Sequence, residues 1–157
     1  MCIRDSTKAV KIVGAASDLT NTLVTSGSSV IAATALVDIT DGAFASTSAT
    51  IAATALGDIG AKTTGTVTVS NAVKIVGAAS DLTNTLVTTG SSVIASQALV
   101  DITDGTFAAT SATIAATALG EIGAKTSGTV TVSNAVKIVG AASDLTNTLV
   151  TTGSSVI

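Results

Sequence analysis

A long tandem repeat constrains this chain more than any other feature of its sequence. The string AVKIVGAASDLTNTLV begins at Ala9, at Ala72 and again at Ala135, which gives a period of 63. Residues 9–71 and 72–134 are two full repeats, and residues 135–157 begin a third. Repeats of this kind bury their apolar faces against their neighbours, so we expect one continuous solenoid domain rather than separate globular units.

The two full repeats differ at seven positions, and every change exchanges small or polar residues. No Val, Ile, Leu or Phe differs between them, which favours the aliphatic positions as the core. The differing pairs are Ser26/Thr89, Ala33/Ser96, Thr34/Gln97, Ala43/Thr106, Ser46/Ala109, Asp58/Glu121 and Thr64/Ser127.

Each repeat divides into three related units that open with a short Ala/Leu segment. In the first repeat the units begin at Ala15, Ala32 and Ala52. In each unit a turn and a β-rich stretch follow the Ala/Leu segment. This order predicts an α/β solenoid with short helices, stacked parallel strands and about 21 residues per coil.

The Ala/Leu segments predict the helices. In the first segment Ser17 and Asp18 are the expected N-cap, and Gly27 is the expected C-terminal stop after about two turns. The second helix is expected over residues 32–39, before an Asp-Gly turn, and the third over residues 52–59, before a glycine.

Strands are predicted where apolar residues alternate with Thr or where β-branched residues cluster. Residues 64–69 and 72–76 carry the clearest patterns, and residues 28–31 and 43–46 are further candidates. Stacked strands lie about 4.8 Å apart and packed helices about 8–10 Å apart, so the helices must be slim or the coil must curve. An all-β right-handed β-helix, with strands in place of the helices, is the alternative.

Composition limits the chemistry that this chain can perform. Hydrophobic residues make up 46% and charged residues 11% of the chain, which contains no His, Trp, Tyr or Pro. The core must be aliphatic, with Phe44 and Phe107 expected to fill its wider part. Without His, a Ser-His-Asp or Cys-His centre is excluded. We therefore expect neither catalytic residues nor a cofactor.

Charge and hydropathy bear on the partners of the chain. The net charge is −3 and the acids are scattered, with no basic patch for a nucleic acid backbone. Polar residues interrupt each apolar run before it reaches the roughly 20 residues of a membrane span. We expect no nucleic acid partner and no membrane span.

Two aspartates precede each Asp-Gly turn or form part of it: Asp38 and Asp41 in the first repeat, and Asp101 and Asp104 in the second. Carboxylate and turn carbonyl oxygens are ligands that Ca²⁺ prefers, so these four residues are candidate calcium ligands. Two carboxylates per repeat are few for such a site, and a plain turn explains the pattern better. No other metal site is expected.

Thr66 and Thr68, with Thr129 and Thr131 in the next repeat, form Thr-x-Thr pairs such as occur on flat ice-binding faces. An ice-binding face needs such a pair on nearly every coil, and here about one coil in three carries it. Threonine that faces water on a strand is the simpler interpretation. These four residues are the candidates for a surface-binding site.

The stretch ALGDIGAKTTGTVTVSNAVKIVGAASDLTNTLV, residues 55–87, resembles repeats in very large surface proteins of marine bacteria, particularly cyanobacteria. The shared features are Ala-Leu, a Gly-Lys-Thr-Thr-Gly-Thr-Val-like turn and strand, and an Ala-Ser-Asp-Leu-like helix start. Gly60-Ala61-Lys62 stands where a more direct Asp-Gly-Lys is expected. The resemblance implies an extracellular, repetitive segment without enzymatic activity.

These observations together predict a structural segment of a long extracellular or cell-surface protein, such as a stalk, an adhesin or a fibre. An ice- or surface-binding solenoid that uses the Thr-rich strand faces is the first rival. A self-assembling filament subunit, which associates end to end or laterally, is the second. Other partners stay open.

The first six residues, MCIRDS, contain the only Met, Cys and Arg of the chain. They match the translation of a sequencing-transposon end, ATG TGT ATA AGA GAC AG. We therefore interpret residues 1–8 as this artefact and its junction with the repeats, and we expect the chain to be a sample of a longer protein.

Overall fold

A computed structural model describes residues 10–25, 33–88, 92–150 and 156–157 of the chain. These residues form an α/β fold of short helices and parallel strands, which is compatible with an α/β solenoid. The all-β alternative is therefore wrong. The strands are β1 (Lys11–Gly14), β2 (Leu36–Ile39), β3 (Thr50–Ala52), β4 (Val67–Val69), β5 (Lys74–Gly77), β6 (Val93–Ile94), β7 (Leu99–Ile102), β8 (Thr113–Ala115), β9 (Val130–Val132) and β10 (Lys137–Val139).

The helices are short, and two of them continue into a single π-helical turn. They are α1 (Ala16–Leu19, continued by the π turn Thr20–Val24), α2 (Phe44–Thr47), α3 (Ala53–Gly60), α4 (Ala79–Leu82, continued by the π turn Thr83–Val87), α5 (Phe107–Thr110), α6 (Ala116–Gly123) and α7 (Ala142–Leu149). None of the helices in the described ranges has the length and apolarity needed to cross a bilayer.

The strands form three parallel sheets, each of which joins two repeats. The first sheet has the order β1-β2-β4-β6, the second has the order β3-β5-β7-β9, and the third pairs β8 with β10. After β2, each strand lies in a different sheet from the strand before it. Neighbouring repeats are therefore bonded together through shared sheets.

The registers show that paired strands lie far apart in sequence. Thr50 lies opposite Lys74, and Val37 lies opposite Val67. The predicted coil of about 21 residues is shorter than the separation between partners in every strand pair of the described chain. The registers that start in the first repeat recur one repeat later, as in Val100 opposite Val130.

The core is aliphatic and lies between the sheets and the helices. In β2 the alternate residues Val37 and Ile39 are buried, and in α3 Leu56 and Ile59 are buried at helical spacing. Helix α3 packs against the two π turns on either side of it, and α6 packs against the second π turn and α7, so α1, α3, α4, α6 and α7 form a row in chain order.

Several predicted elements agree with the structure. The first and third Ala/Leu segments are helical, as α1 and α3 show, and the Thr/Val alternation at residues 64–69 contains β4. Residues 72–76 contain most of β5. The strand predicted at residues 28–31 and the stop at Gly27 lie outside the described residues. The counterpart of that strand in the second repeat is β6.

The helix predicted at residues 32–39 is wrong, because residues 36–39 form β2. The sequence Leu-Val-Asp-Ile has apolar residues that fit either period over so short a run. Pairing with β1 and β4 selects the strand, which buries Val37 and Ile39.

The strand predicted at residues 43–46 is also wrong, because α2 occupies this place. The hydroxyls of Ser46 and Thr47 donate to the carbonyl of Ala43 and close the turn. Phe44 at its start is half-buried and Phe107 in α5 is exposed, so the prediction that both rings fill the core is wrong as well.

Candidate surface-binding face

Alternation along β1, β2, β4 and β6 gives the first sheet one buried face and one face turned to solvent, here called the outer face. Val67 and Val69 of β4 are buried, whereas Thr68 between them is partly exposed. Leu36 and Asp38 of β2 take the same orientation as Thr68. The outer face consists of Lys11, Val13, Leu36, Asp38, Thr66, Thr68, Ser70 and Ile94.

The register places Thr68 of the outer face between unlike neighbours. Thr68 lies opposite Asp38 on one side and opposite Ile94 on the other. In the second sheet, Thr131 likewise lies opposite Asp101. Thr66 and Thr129 directly precede β4 and β9 and are partly exposed. Thr68 therefore stands in a mixed row between an acidic and an apolar side chain, and Thr131 also has an acidic neighbour.

A shallow groove of about 290 Å³ lies on the outer face. Its lining combines one cation, one carboxylate, three hydroxyls and two aliphatic side chains: Lys11, Asp38, Thr66, Thr68, Ser70, Leu36 and Val37. The lining provides hydrogen-bond donors and acceptors within a small area. Its side chains are of several chemical types and do not form a row of one type.

Asp38 is the charged centre of this groove. Its carboxylate accepts a hydrogen bond from the Ser70 hydroxyl and pairs with the Lys11 ammonium at 2.9 Å. The Ser70 hydroxyl, followed by Lys11, holds the pKa of Asp38 below its ordinary value. In the second sheet, Asp101 accepts from Ser133 and lies 3.6 Å from Lys74.

Asp41 has a different role from Asp38. Its carboxylate accepts a hydrogen bond from the backbone N–H of Ala16 at 2.7 Å, at the start of α1. Asp104 does the same for Ala79 at the start of α4. The N-cap residue of α1 is Ala15, without a side-chain bond, so the N-cap predicted at Ser17 and Asp18 is wrong.

The four candidate calcium ligands thus divide into two pairs with separate intrachain partners. Asp38 and Asp101 bond to Ser and Lys side chains, whereas Asp41 and Asp104 bond to helix N–H groups. Within the described ranges, no three acidic or sulfur- or imidazole-bearing side chains converge in a way that would hold a metal ion.

Sequence reasoning missed the contact between Phe44 and Lys74. The Lys74 ammonium lies 4.5 Å from the centre of the Phe44 ring, within the range of a cation–π interaction. Lys137 and Phe107 repeat the arrangement at 5.7 Å. Phe44 and Lys74 recur one repeat later as Phe107 and Lys137, which was the available signal. This recurrence does not reveal that the ring and the ammonium meet across a repeat boundary.

Two further polar links between distant segments were also missed. The Asn71 side chain donates to the carbonyl of Asp41 at 2.8 Å, and the buried Thr85 hydroxyl donates to the carbonyl of Ala53 at 2.9 Å. Each has a counterpart one repeat later, in Asn134 and Thr148.

No protein-family model, curated protein or solved structure matches this chain.

Proposed function

We propose that the chain is a non-enzymatic structural segment of a long extracellular or cell-surface protein, where it serves as a stalk, an adhesin spacer or a fibre. In this proposal the repeats continue one another as an α/β solenoid. Assignment to the cell exterior rests on the resemblance of residues 55–87 to repeats of bacterial surface proteins.

One observation carries the proposal: the same links join repeat one to repeat two and repeat two to repeat three. Strand β3 pairs with β5 as β8 pairs with β10, with Thr50 opposite Lys74 and Thr113 opposite Lys137. The residue at the opening of the next repeat also bonds identically, because Ala72 accepts from the Phe44 N–H and Ala135 accepts from the Phe107 N–H.

Side chains reinforce the same boundary. The hydroxyl of Thr85 donates to Ala53 across the first boundary, and Thr148 donates to Ala116 across the second at 3.0 Å. Val67 lies opposite Val93 at the first boundary, and Val130 forms a parallel bridge with Val156 at the second. An interface that repeats in this way accepts further repeats without any new contact, as a spacer of adjustable length requires.

The boundary links also suit a mechanical role. They combine parallel strand pairing, aliphatic packing and buried hydrogen bonds, so a repeat separates from its neighbour only when several bonds break together. The ion pairs of Lys11 with Asp38 and of Lys74 with Asp101 each lie within one repeat, so they do not contribute to this cohesion.

Chains that carry two, four and eight full repeats in tandem test the proposal by small-angle X-ray scattering. A solenoid predicts that the maximum dimension increases in proportion to the number of repeats. A globular chain would instead increase its radius of gyration only about 1.3-fold for each doubling of length. An increase of the radius of gyration at that lower rate would contradict the proposed stalk.

The ice-binding alternative is separated by thermal hysteresis of the purified chain. The mixed rows, in which Thr68 stands between Asp38 and Ile94, favour the structural role over a regular ice-binding lattice. Thr68→Lys and Thr131→Lys should leave the freezing behaviour unchanged, because we expect no hysteresis in the parent chain. A clear hysteresis that these substitutions abolish would replace the stalk by the ice-binding function.

A further inference from the structure

A break in strand pairing separates the first sheet from the third. Strand β6 lies at one end of the first sheet, and β8 lies at one end of the third. Both strands belong wholly to the described residues, and no backbone hydrogen bond joins one to the other. The break therefore lies between two segments in the interior of the chain.

The two strands occupy neighbouring levels of the fold in spite of this break. Strand β6 packs against the π turn Thr83–Val87, and α6 packs against the same π turn. Strand β8 leads directly into α6. Val93 of β6 and Ile114 of β8 are both buried. A common core thus underlies the break, and only the strand pairing is interrupted.

The second sheet is continuous at the same level. Strand β7, which lies between β6 and β8 in the chain, pairs with β5 on one side and with β9 on the other. The row of helices also continues there, from the π turn to α6. The fold is therefore bonded through one sheet at a level where the other two sheets are not joined.

The segments that flank the break are lightly packed. The connection from β7 to β8 contains α5, a turn of four residues of which none is buried. Ser111 ends this turn in the left-handed region, with φ 53°. Strand β6 is two residues long, and its Ile94 is 52% exposed. Short strands with few buried contacts are typical of regions of low local stability.

We propose that the break between β6 and β8 is a bending point, at which the solenoid rotates about the continuous second sheet and the row of helices. The rotation changes the separation of β6 from β8 and breaks no strand pair, because none joins them. The burial of Val93 and Ile114 limits its amplitude, since a wide opening would expose both side chains to water. A bend at any paired strand would instead stretch a ladder of hydrogen bonds.

The sequence predicts one such break in each repeat. Strand β3 has the same sequence as β8, Thr-Ile-Ala, and among the described residues β3 also lies at the end of its sheet. A bending point in every repeat deepens the proposed structural role and rests on it. A stalk of this kind yields to a sideways load by many small rotations, without loss of strand pairing.

Distances between pairs of nitroxide spin labels, measured by double electron–electron resonance, test the bending point. Cys2→Ser provides the background, so that labels attach only to introduced cysteines. Leu36→Cys together with Thr113→Cys spans the break, from β2 across β4 and β6 to β8. Both positions are exposed, so the labels should leave the core undisturbed.

Two control pairs span three strand spacings, about 14 Å, without crossing the break. Val13→Cys with Ile94→Cys runs from β1 to β6 within the first sheet. Thr50→Cys with Thr129→Cys runs from β3 to the residue before β9 within the second sheet. All four control positions are exposed or partly exposed.

The bending point predicts that the distance distribution of the pair across the break is about twice as wide as that of either control pair. Equal widths for the three pairs, in chains that keep the circular dichroism spectrum of the parent, would refute it. That result would leave the stalk proposal in place, because the length of tandem repeats measured by scattering increases with repeat number in a stiff rod as well.

Discussion

Asp41 lies 25 residues after Ala16 in the chain, yet its carboxylate accepts a hydrogen bond from the Ala16 backbone N–H at 2.7 Å. Asp104 bonds to Ala79 at the same distance. The loop that follows β2 therefore provides the N-terminal cap of α1. A carboxylate in this place also interacts favourably with the partial positive charge of a helix start.

Replacement of this cap should weaken the fold. We expect Asp41→Ala to lower the free energy of unfolding by about 1 kcal/mol, because the Ala16 N–H loses its acceptor. Asp41→Asn should cost less, since its amide oxygen still accepts a hydrogen bond. Urea unfolding followed by circular dichroism measures both.

Asp58→Ala is the matched control, because Asp58 is exposed on α3. Its effect should stay within about 0.5 kcal/mol. Equal losses for Asp41→Ala and Asp58→Ala would show that the bond to Ala16 contributes nothing to stability.

Two of the elements that could be predicted have a pattern that extends over six or more residues. The Thr/Val alternation of residues 64–69 contains β4, and the Ala/Leu spacing of residues 52–59 gives α3. In both, local preference and burial agree. The four-residue elements β2 and α2 could not be assigned, because their apolar residues fit more than one period and distant segments decide between them.

The site could be predicted only in part for a related reason. Alternation indicates that Thr66 and Thr68 face solvent, and they do lie at partly exposed positions. Their neighbours depend on register, which pairs Thr68 of β4 with Asp38 of β2. A single sequence carries no signal of the spacing between these strands, so the groove and the Asp41 cap follow only from the three-dimensional structure.

The interactions of Asp38 with Ser70 and Lys11, here called the Asp38 cluster, should make the free energy of unfolding depend on pH in the acid range. Its pKa in the folded chain lies below the ordinary 3.8, so the stabilisation is complete above that value and is lost as the pH falls through the lower folded pKa. We expect the urea concentration at the midpoint of unfolding of the parent chain to decrease when the pH is lowered below about 4. Asp38→Asn should make this fall shallower.

Ser70→Ala provides the internal check on this dependence, because the Ser70 hydroxyl is the largest cause of the lowered pKa. Ser70→Ala should therefore reduce the acid sensitivity in part. If the urea midpoint of Asp38→Asn decreased with pH in parallel with that of the parent chain, the Asp38 cluster would not be the cause of the acid dependence.

Ser48 ends α2 in the left-handed region, with φ 53° and ψ 27°. This conformation costs a residue with a Cβ about 1–2 kcal/mol, and glycine recovers only part of that because it also makes the unfolded chain freer. Ser48→Gly should therefore raise stability by about 0.5 kcal/mol, measured as a small increase in melting temperature.

The same change two residues earlier is the control. Ser46 lies inside α2, and its hydroxyl donates to the carbonyl of Ala43 at 3.1 Å. Ser46→Gly should lower the melting temperature, because glycine inside a helix costs about 0.5–1 kcal/mol. Effects of the same sign at both positions would contradict the conformational argument.

Gly65 lies where a backbone carbonyl of another segment leaves no room for a side chain. A Cβ atom on Gly65 would stand 2.2 Å from the carbonyl oxygen of Ala35, and backbone atoms cannot yield as a flexible side chain does. Gly65→Ala should therefore destabilise the chain by about 2 kcal/mol or more, because the turn before β4 must move away from the start of β2.

Gly14→Ala is the control, because its Cβ atom would meet only Leu19, at 3.6 Å. This substitution should leave the urea midpoint nearly unchanged. Two midpoints that shift alike would show that the close approach at Ala35 is not what selects glycine at position 65.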